Sequence, residues 1–330
     1  MKVFIVGGTG FLGYYSTLEF LQRGHEVTTI SLPDIELGEW FPKDKVEVKY
    51  GNVFKMSHEE LVDLFSGYDG MVYAVGPDDR VTPEGSAYKF FHDRLVLSST
   101  KVVKAAKDAG VKKCAVLNSY FAYFDRLWPE KKLAEHHPYI KCRIEQAESV
   151  IVVGGNSMDV SVLELPYIFG TMPERVPLWK DILFERLRKM KIVLFPKGGT
   201  NMITVEHIAE AVVGAIEQGE HGKRYPIGDA NLSWKEMINI ITETMGKKKK
   251  IITIPTCLGT LYGKILKRKD EKEGKEAGLD YAYLFKDIQS QELYFDPTPS
   301  VEALGYKRGG IEDAIKKTVY RCYPDLKQDQ

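Results

Sequence analysis

The chain has 330 residues and a formal net charge of zero, with a pI near 7.1. Its length suffices for one large domain with a smaller lobe, and its neutral charge argues against a surface built to bind nucleic acid. The four cysteines form no C-x-x-C pair and no segment is long and apolar enough to cross a membrane, so we expect a metal-free, cytoplasmic protein without a membrane partner.

The chain opens with an apolar strand that leads into a glycine-rich turn. Val3–Val6 is an uninterrupted apolar run, typical of a strand that is buried on both faces of a parallel sheet. Residues 14–23 then have helical periodicity. The turn between them contains three glycines with the spacing of a dinucleotide-binding loop, namely Gly7, Gly10 and Gly13.

Each glycine has its own task in such a loop. The first allows the sharp turn, the second lets the backbone approach a pyrophosphate, and the third lets helix and strand pack closely. The amides at the start of the helix, at Phe11 and Leu12, would face the phosphates with the positive end of the helix dipole. A tight turn without a ligand is the alternative, but strand, spacing and helix together favour cofactor binding.

The second strand, predicted at 25–30, ends at a residue that bears on the choice of cofactor. NAD-binding folds usually carry an acidic residue there, which binds the adenosine ribose hydroxyls, whereas this chain has Ser31. A carboxylate at this position would repel the ribose 2′-phosphate of NADP, so its replacement by serine favours NADP. No neighbouring arginine supports that choice. NADP and NAD therefore both stay open.

Two further strands complete the predicted cofactor site. A short strand at 46–50 is followed by Asn52, whose side chain could contact adenine. The next strand ends in small residues, and Ala74 and Val75 would let the cofactor lie across the strand ends. The polar stretch that follows, 77–84, is predicted to be a mobile loop.

Ser119 stands at the carboxyl end of the fifth predicted strand, after a long predicted helix at 88–109. Ligands of open α/β sheets bind outside the carboxyl ends of the strands, so this serine is placed for chemistry. Another helix is predicted at 138–148, with proline in its first turn. Tyr139 and Arg143 lie four residues apart and share one face of that helix.

These motifs resemble those of the extended short-chain dehydrogenase/reductase family, which includes sugar-nucleotide epimerases and dehydratases. The resemblance rests on the glycine loop, on Ser119 with Tyr123 four residues later, and on Tyr139. Three later segments also match the family's pattern: Leu165–Gly170, Ile203–Ala209 and Tyr225–Gly228. The resemblance implies a Rossmann-type doubly wound parallel sheet with a smaller mixed α/β C-terminal lobe, a nicotinamide beside Pro166 and, by analogy, a homodimer.

The resemblance also implies a proton relay that works with hydride transfer. Tyr139 would act as acid or base toward a substrate oxygen, and Ser119 would hydrogen-bond the same oxygen. The family places a lysine four residues after the tyrosine, where its charge lowers the pKa of the phenol and its amine holds the nicotinamide ribose. Arg143 occupies that position here. Arginine keeps the positive charge, but its planar head would meet the ribose differently, so catalysis could be slowed, retuned or lost.

Two more positions differ from the sugar-nucleotide enzymes of the family. Thr200 stands where those enzymes often carry an arginine that binds the diphosphate, and His207 replaces an aspartate. We interpret His207 as a helix N-terminal residue rather than a ligand or base. Arg175 and the basic run at 180–191 could supply phosphate contacts instead, although the run fits an exposed helix face better.

The sequence thus predicts a dinucleotide-binding domain over residues 1–165, with a returning strand near 225–228, and a smaller substrate-binding lobe over 166–330. The expected function is that of an NAD(P)-dependent oxidoreductase or epimerase/dehydratase acting on a small-molecule hydroxyl or carbonyl, with a nucleotide sugar among the candidate substrates. A catalytically degenerate dinucleotide-binding sensor or regulatory protein is the alternative. Two lysine-rich stretches are predicted to be surface loops: 247–250 and 264–275.

Overall fold

The computed structural model describes residues 1–327. In chain order its strands are β1 (Lys2–Val6), β2 (Glu26–Ser31), β3 (Val46–Tyr50), β4 (Gly70–Tyr73), β5 (Lys113–Ser119), β6 (Asp159–Leu165), β7 (Tyr167–Phe169), β8 (Ile192–Pro196), β9 (Gly199–Thr204), β10 (Arg224–Pro226), β11 (Ala230–Ser233), β12 (Lys250–Ile254) and β13 (Glu292–Leu293). Its α-helices are α1 (Phe11–Gln22), α2 (His58–Phe65), α3 (Ala87–Phe91), α4 (Ser98–Asp108), α5 (Phe121–Leu127), α6 (Leu133–His136), α7 (Pro138–Gly154), α8 (Glu185–Lys189), α9 (Val205–Gln218), α10 (Trp234–Thr244), α11 (Thr256–Lys272), α12 (Tyr281–Leu284), α13 (Thr298–Leu304) and α14 (Ile311–Cys322).

Seven parallel strands form the main sheet, in the order β10-β6-β5-β4-β1-β2-β3. Successive residues of β1 alternate between its two faces, and both faces are covered. Val3 and Ile5 pack with residues of α1 and α9, whereas Phe4 and Val6 pack with residues of α2, α4 and α7. This double burial explains the uninterrupted apolar run, and the predicted doubly wound sheet is confirmed.

The second half of the chain builds a smaller layer and contributes one strand to the main sheet. β9 pairs with β7, β11 and β13, while β8 pairs with β12. Together with α10 and α14 these strands surround a separate cluster of buried side chains that includes Phe169, Trp234 and Ile315. The return strand β10 pairs in parallel with β6, as the pattern near residue 225 predicts.

Three helices differ in extent from the sequence-based expectation, and the first is α1, which begins at Phe11 instead of residue 14. The helix predicted at 88–109 consists of α3 and α4 joined by a π-helical turn at His92–Leu97. α7 continues to Gly154 instead of ending near residue 148, because its later residues, among them Val150, pack into the core beneath the sheet. Within residues 1–327 no helix is both long and apolar enough to cross a membrane.

The lysine-rich stretches predicted to be loops are partly helix and strand. Lys250 begins β12, and most of the stretch 264–275 belongs to α11. Gly259 and Gly263 explain the helix, because they let it approach its neighbours closely. A Cβ on Gly263 would overlap the carbonyl oxygen of Tyr281. Tight packing therefore stabilises a helix whose charged composition alone indicated a loop.

Candidate active site

The glycine loop joins β1 to α1 so tightly that larger residues would clash. Gly7 has a φ of +95°, a region that favours glycine, and a Cβ on Gly13 would overlap the carbonyl oxygen of Gly7. A Cβ on Gly7 would in turn meet Val75 and the carbonyl of Ala74, so these two predicted residues border the loop. α1 begins after Gly10 without a side-chain cap, which leaves amides of its first turn available to a ligand. The loop therefore fits a pyrophosphate.

The two residues predicted for the adenosine end lie together at the carboxyl ends of β2 and β3. The carbonyl oxygen of Ser31 accepts a hydrogen bond from the Gly51 amide at 2.9 Å, and the Ser31 hydroxyl lies 3.4 Å from that of Thr9 in the glycine loop. Asn52 follows directly, and its Oδ1 accepts a hydrogen bond from the Phe54 amide at 3.0 Å.

An arginine distant in sequence reaches the glycine loop. Nη2 of Arg175 donates a hydrogen bond to the carbonyl oxygen of Thr9 at 3.2 Å. The basic run at 180–191 lies elsewhere, since Lys180 and Arg188 both contact the ring of Tyr323. Of the basic residues that the sequence offered for phosphate contacts, Arg175 is the one placed beside the loop.

One cavity of about 660 Å³ at the carboxyl edge of the main sheet brings the predicted catalytic residues together. Ser119 ends β5, and its hydroxyl oxygen accepts a hydrogen bond from the Phe121 amide at 3.4 Å. Tyr139 lies in the first turn of α7, and Arg143 follows one turn later. The cavity wall also includes three residues predicted for cofactor binding: Phe11, Leu12 and Pro166. Within residues 1–327 no group of three or more His, Cys, Asp or Glu side chains is arranged to hold a metal ion.

Arg143 is bound firmly in place beside the phenol. Its Nε donates a hydrogen bond to the Tyr139 hydroxyl at 2.9 Å, and its Nη1 donates to Oε1 of Gln146 at 2.9 Å and to the carbonyl of Leu117 at 3.4 Å. The ring of Tyr139 is held by an edge-to-face contact with Phe91, with ring centroids 5.1 Å apart. Both partners of the pair are thus fixed before any substrate binds.

The pKa of Tyr139 is raised above its usual value of 10, although a cation stands beside it. Burial of the phenol is the largest cause; Arg143 lowers the pKa, and the charges of Asp79 and Asp78 raise it. The sequence predicts that the positive charge of Arg143 would bring the pKa of Tyr139 below its usual value, and this is not found. Arg143 compensates part of the burial effect, and the phenol is protonated at neutral pH.

The loop at 77–84, predicted to be mobile, supplies charged residues to the cavity that the sequence reasoning missed. Arg80 donates hydrogen bonds to both carboxylate oxygens of Asp78, and its guanidinium lies 5.4 Å from the ring centre of Trp179. Burial, followed by the charge of Asp78, raises the pKa of Asp79 to about 6. Asp78, Asp79 and Arg80 follow the fourth strand, at the edge of the sheet where ligands bind, and this position in the sequence could have identified them.

The two positions that differ from sugar-nucleotide enzymes lie outside the cavity wall. Thr200 is fully buried, and its hydroxyl lies 2.8 Å from the hydroxyl of Tyr120. His207 stands at the start of α9, where its amide donates to the Thr204 hydroxyl and its Nδ1 lies 2.7 Å from Asp229. Much of the remaining wall is apolar or aromatic: Tyr167, Met172, Leu178, Leu279, Leu284 and Ile288.

Comparison of the sequence with known proteins finds relatives of low identity. A sterol-4-alpha-carboxylate 3-dehydrogenase (decarboxylating) from Mus musculus is 23% identical over 227 residues, which cover 67% of this chain and 59% of the relative. The chain thus spans less than two thirds of that relative's length. A putative dihydroflavonol 4-reductase from Synechocystis sp. is 20% identical over 335 residues, covering 96% of this chain and 93% of the relative.

The fold itself is shared with solved structures. The crystal structure of gox2253 superposes with a TM-score of 0.79 at 15% identity, covering 98% of each chain. The family model of the NAD dependent epimerase/dehydratase family matches residues 3–228, which include the glycine loop, the serine–tyrosine–arginine group and the return strand. The chain belongs to that family, which confirms the predicted resemblance to the extended short-chain dehydrogenases/reductases and agrees with the predicted nicotinamide cofactor.

Proposed function

We propose that the protein is an NAD(P)-dependent oxidoreductase that interconverts a secondary alcohol and a ketone on an uncharged, largely apolar small molecule. The observation that carries this proposal is the buried pair of Tyr139 and Arg143, which shares a cavity with Ser119 at the carboxyl edge of the sheet. A phenol with an adjacent fixed cation and a nearby hydroxyl is suited to proton transfer at one substrate oxygen.

The side chains divide the work in a direct way. A bound nicotinamide would supply the hydride for ketone reduction or accept it in alcohol oxidation. During reduction Tyr139 donates its phenol proton to the substrate oxygen, to which the Ser119 hydroxyl also donates a hydrogen bond. During oxidation the phenolate of Tyr139 accepts the proton of the alcohol, and the charge of Arg143 stabilises that phenolate.

The dinucleotide would lie along the glycine loop. Amides at the start of α1 face the pyrophosphate, and Arg175 beside Thr9 adds a positive charge. Ser31 and Asn52 would contact the adenosine half, and Pro166 would lie at the nicotinamide end. With serine rather than a carboxylate at the end of β2, both NAD and NADP are accommodated.

Three features of the site and its surroundings favour an apolar substrate over a nucleotide sugar. Asp78 and Asp79 bring carboxylates into the cavity, and these would repel a diphosphate. Thr200, where an arginine would bind that diphosphate, is buried against Tyr120. The wall is otherwise rich in aliphatic and aromatic groups, which suit a ring alcohol or ketone. The names of the sterol dehydrogenase and of the flavonoid reductase point the same way.

The test is turnover of cyclic apolar ketones and alcohols with NAD(H) and NADP(H), with UDP-glucose as the competing substrate. We expect Tyr139→Phe to lower kcat on the best substrate by about 100-fold or more, since a positioned acid or base contributes that much. Tyr123→Phe is the matched control, because Tyr123 packs against Phe124 and Phe295 outside the cavity. Equal rates for Tyr139→Phe and the wild type, or turnover of UDP-glucose alone, would contradict the proposal. Cofactor binding without turnover of any substrate would support the sensor alternative.

A further inference from the structure

α11 presents an apolar stripe to solvent. Leu258, Leu261, Tyr262 and Ile265 have the spacing of one helix face, and each is between 51% and 58% exposed. A soluble surface normally scatters such side chains singly, so four on one helix face mark a surface that binds something.

Close packing on the opposite face of α11 keeps the apolar stripe facing solvent. Gly259 and Gly263 lie against the neighbouring segments, where a Cβ on Gly259 would overlap the ring of Phe285 and a Cβ on Gly263 would overlap the carbonyl of Tyr281. The helix cannot rotate to bury the stripe without breaking this close packing. Outward exposure of the apolar side chains is therefore built into the fold.

The strand pair β8–β12, which leads into α11, carries further exposed apolar side chains. Val193 of β8 is buried, whereas its neighbours Ile192 and Leu194 are 47% and 52% exposed. Ile252 of β12 pairs with Leu194 and is 39% exposed. Only Pro255 separates β12 from α11. We refer to these seven side chains together as the apolar patch: Ile192, Leu194, Ile252, Leu258, Leu261, Tyr262 and Ile265.

Basic residues flank this patch along the chain. Residues 247–272 contain nine lysine and arginine residues and two acidic residues, whereas the whole chain is neutral. Two of these lysines, Lys248 and Lys267, form ion pairs with Glu243 and Asp280, which leaves the remaining seven in excess over the two acidic residues. One group of lysines precedes β12. Three further basic residues, all exposed, extend the stripe of α11 at the same helical spacing beyond Ile265: Arg268, Lys269 and Lys272. Basic residues thus precede and follow the apolar side chains along the chain, and we refer to them as the basic edges of the patch.

We propose that the apolar patch and its basic edges dock on the surface of a lipid bilayer that contains anionic lipid. An in-plane helix with aliphatic and tyrosine side chains buries them at the boundary of headgroups and acyl chains, while lysine and arginine bind the lipid phosphates. Nucleic acid would meet the basic edges but not the aliphatic centre, and a second copy of the chain would bring the same positive charge. A negatively charged membrane can take up the apolar side chains and also bind the basic residues.

The segments beneath α11 connect this surface with the cavity. α12 and the turn at Phe285–Gln289, on which α11 packs, contribute Tyr281, Leu284 and Ile288 to the cavity wall. Docking through the apolar patch would therefore place one wall of the cavity close to the bilayer.

Vesicle cosedimentation of the full chain tests the proposal. We expect binding to vesicles of phosphatidylcholine with phosphatidylglycerol, weaker binding to phosphatidylcholine alone, and loss of binding as salt is raised. Leu261→Ser with Ile265→Ser should weaken binding by about tenfold or more, because two aliphatic side chains no longer enter the bilayer. Val152→Ser is the matched control, since Val152 is a 79% exposed apolar residue on α7.

A charge variant tests the other half of the surface. Arg268→Gln with Lys269→Gln should lower affinity for the phosphatidylglycerol vesicles by about tenfold, whereas Lys43→Gln with Lys45→Gln should not. Thermal unfolding of each variant shows whether it is folded. The proposal is overturned if the wild type binds neither vesicle or if the double serine variant binds as the wild type does. It is also overturned if the wild type is a dimer that this variant converts to monomers without any vesicle binding, since a second copy then covers the patch.

Discussion

Arg143 donates a hydrogen bond from its Nε to the phenol oxygen of Tyr139 across 2.9 Å, and only 9% of the arginine is exposed. Both Nη1 contacts of Arg143 go to protein acceptors, so its positive charge is held in one place. In the proposed reaction, this arginine would supply the positive charge that the resemblance assigns to a lysine, without being able to take part in proton exchange.

Replacing Arg143 by Gln should raise the pKa of Tyr139 further, because a positive charge that lowers it is lost. We expect kcat/KM for alcohol oxidation to fall by about 100-fold and the rise of this rate with pH, which follows formation of the phenolate, to move to higher pH. Ketone reduction should fall less, since a protonated phenol is still present. Arg143→Lys should retain most of the oxidation rate. An unchanged position of this rise in Arg143→Gln would contradict the role assigned to the cation.

Gly13→Ala should abolish dinucleotide binding and destabilise the fold by about 1 to 3 kcal/mol, because the new methyl group would overlap the Gly7 carbonyl in a tightly packed turn. Gly24→Ala is the control. Unlike Gly13, Gly24 has a positive φ, +78°, which disfavours alanine, but no neighbouring atom lies within 4 Å of its added Cβ, so Gly24→Ala should lose stability and still bind the dinucleotide. Calorimetric titration with NAD and NADP and urea unfolding measure both effects. Normal cofactor affinity in Gly13→Ala would show that the loop does not hold the pyrophosphate.

Arg175→Gln should weaken dinucleotide binding by about tenfold, since a charged hydrogen bond near the phosphates is removed. The variant should remain folded. The fluorescence of bound NADPH or NADH measures its affinity for the cofactor. Arg188→Gln offers a comparison, because Arg188 contacts Tyr323 instead of the loop. Equal affinities for the two variants would remove Arg175 from the cofactor site.

Asp79→Asn should stabilise the protein at pH 7. Burial and the charge of Asp78 raise the pKa of Asp79 from 3.8 to about 6, so the folded wild type loses stability as pH rises between these values. Asp79→Asn lacks the titrating carboxyl, so its free energy of unfolding at pH 7 should exceed that of the wild type by about 1 to 3 kcal/mol. This range follows because one pKa unit corresponds to about 1.4 kcal/mol. The gain should disappear near pH 4. Urea unfolding at both pH values, with the exposed Asp34→Asn as reference, measures the difference.

The main sheet and the positions of Ser119, Tyr139 and Arg143 in the cavity could be predicted because their signals are local. The apolar run of β1, the glycine spacing and the end of β5 at Ser119 each follow from a few neighbouring residues. The pairing of Tyr139 with Arg143 follows from their helical spacing. The roles of these residues, the division of the chain near residue 165 and the homodimer stay predictions.

The features that could not be predicted from the sequence depend on contacts between distant segments. Arg175 reaches Thr9 across the fold, and the raised pKa of Tyr139 comes from burial that the sequence does not show. α11 looked like a charged loop because its stabilising contacts are made by two glycines, which carry no hydrophobic signal. Composition could not indicate which of these charged segments fold.

The pairing of β10 with β6 limits how this protein can be divided. A fragment that stops at residue 165 would lack β10 and would leave the amides and carbonyls of β6 open along one edge. We expect such a fragment to aggregate, whereas the full chain closes that edge with a strand made some sixty residues later. A usable version of the cofactor half for engineering would therefore have to include the polypeptide up to β10.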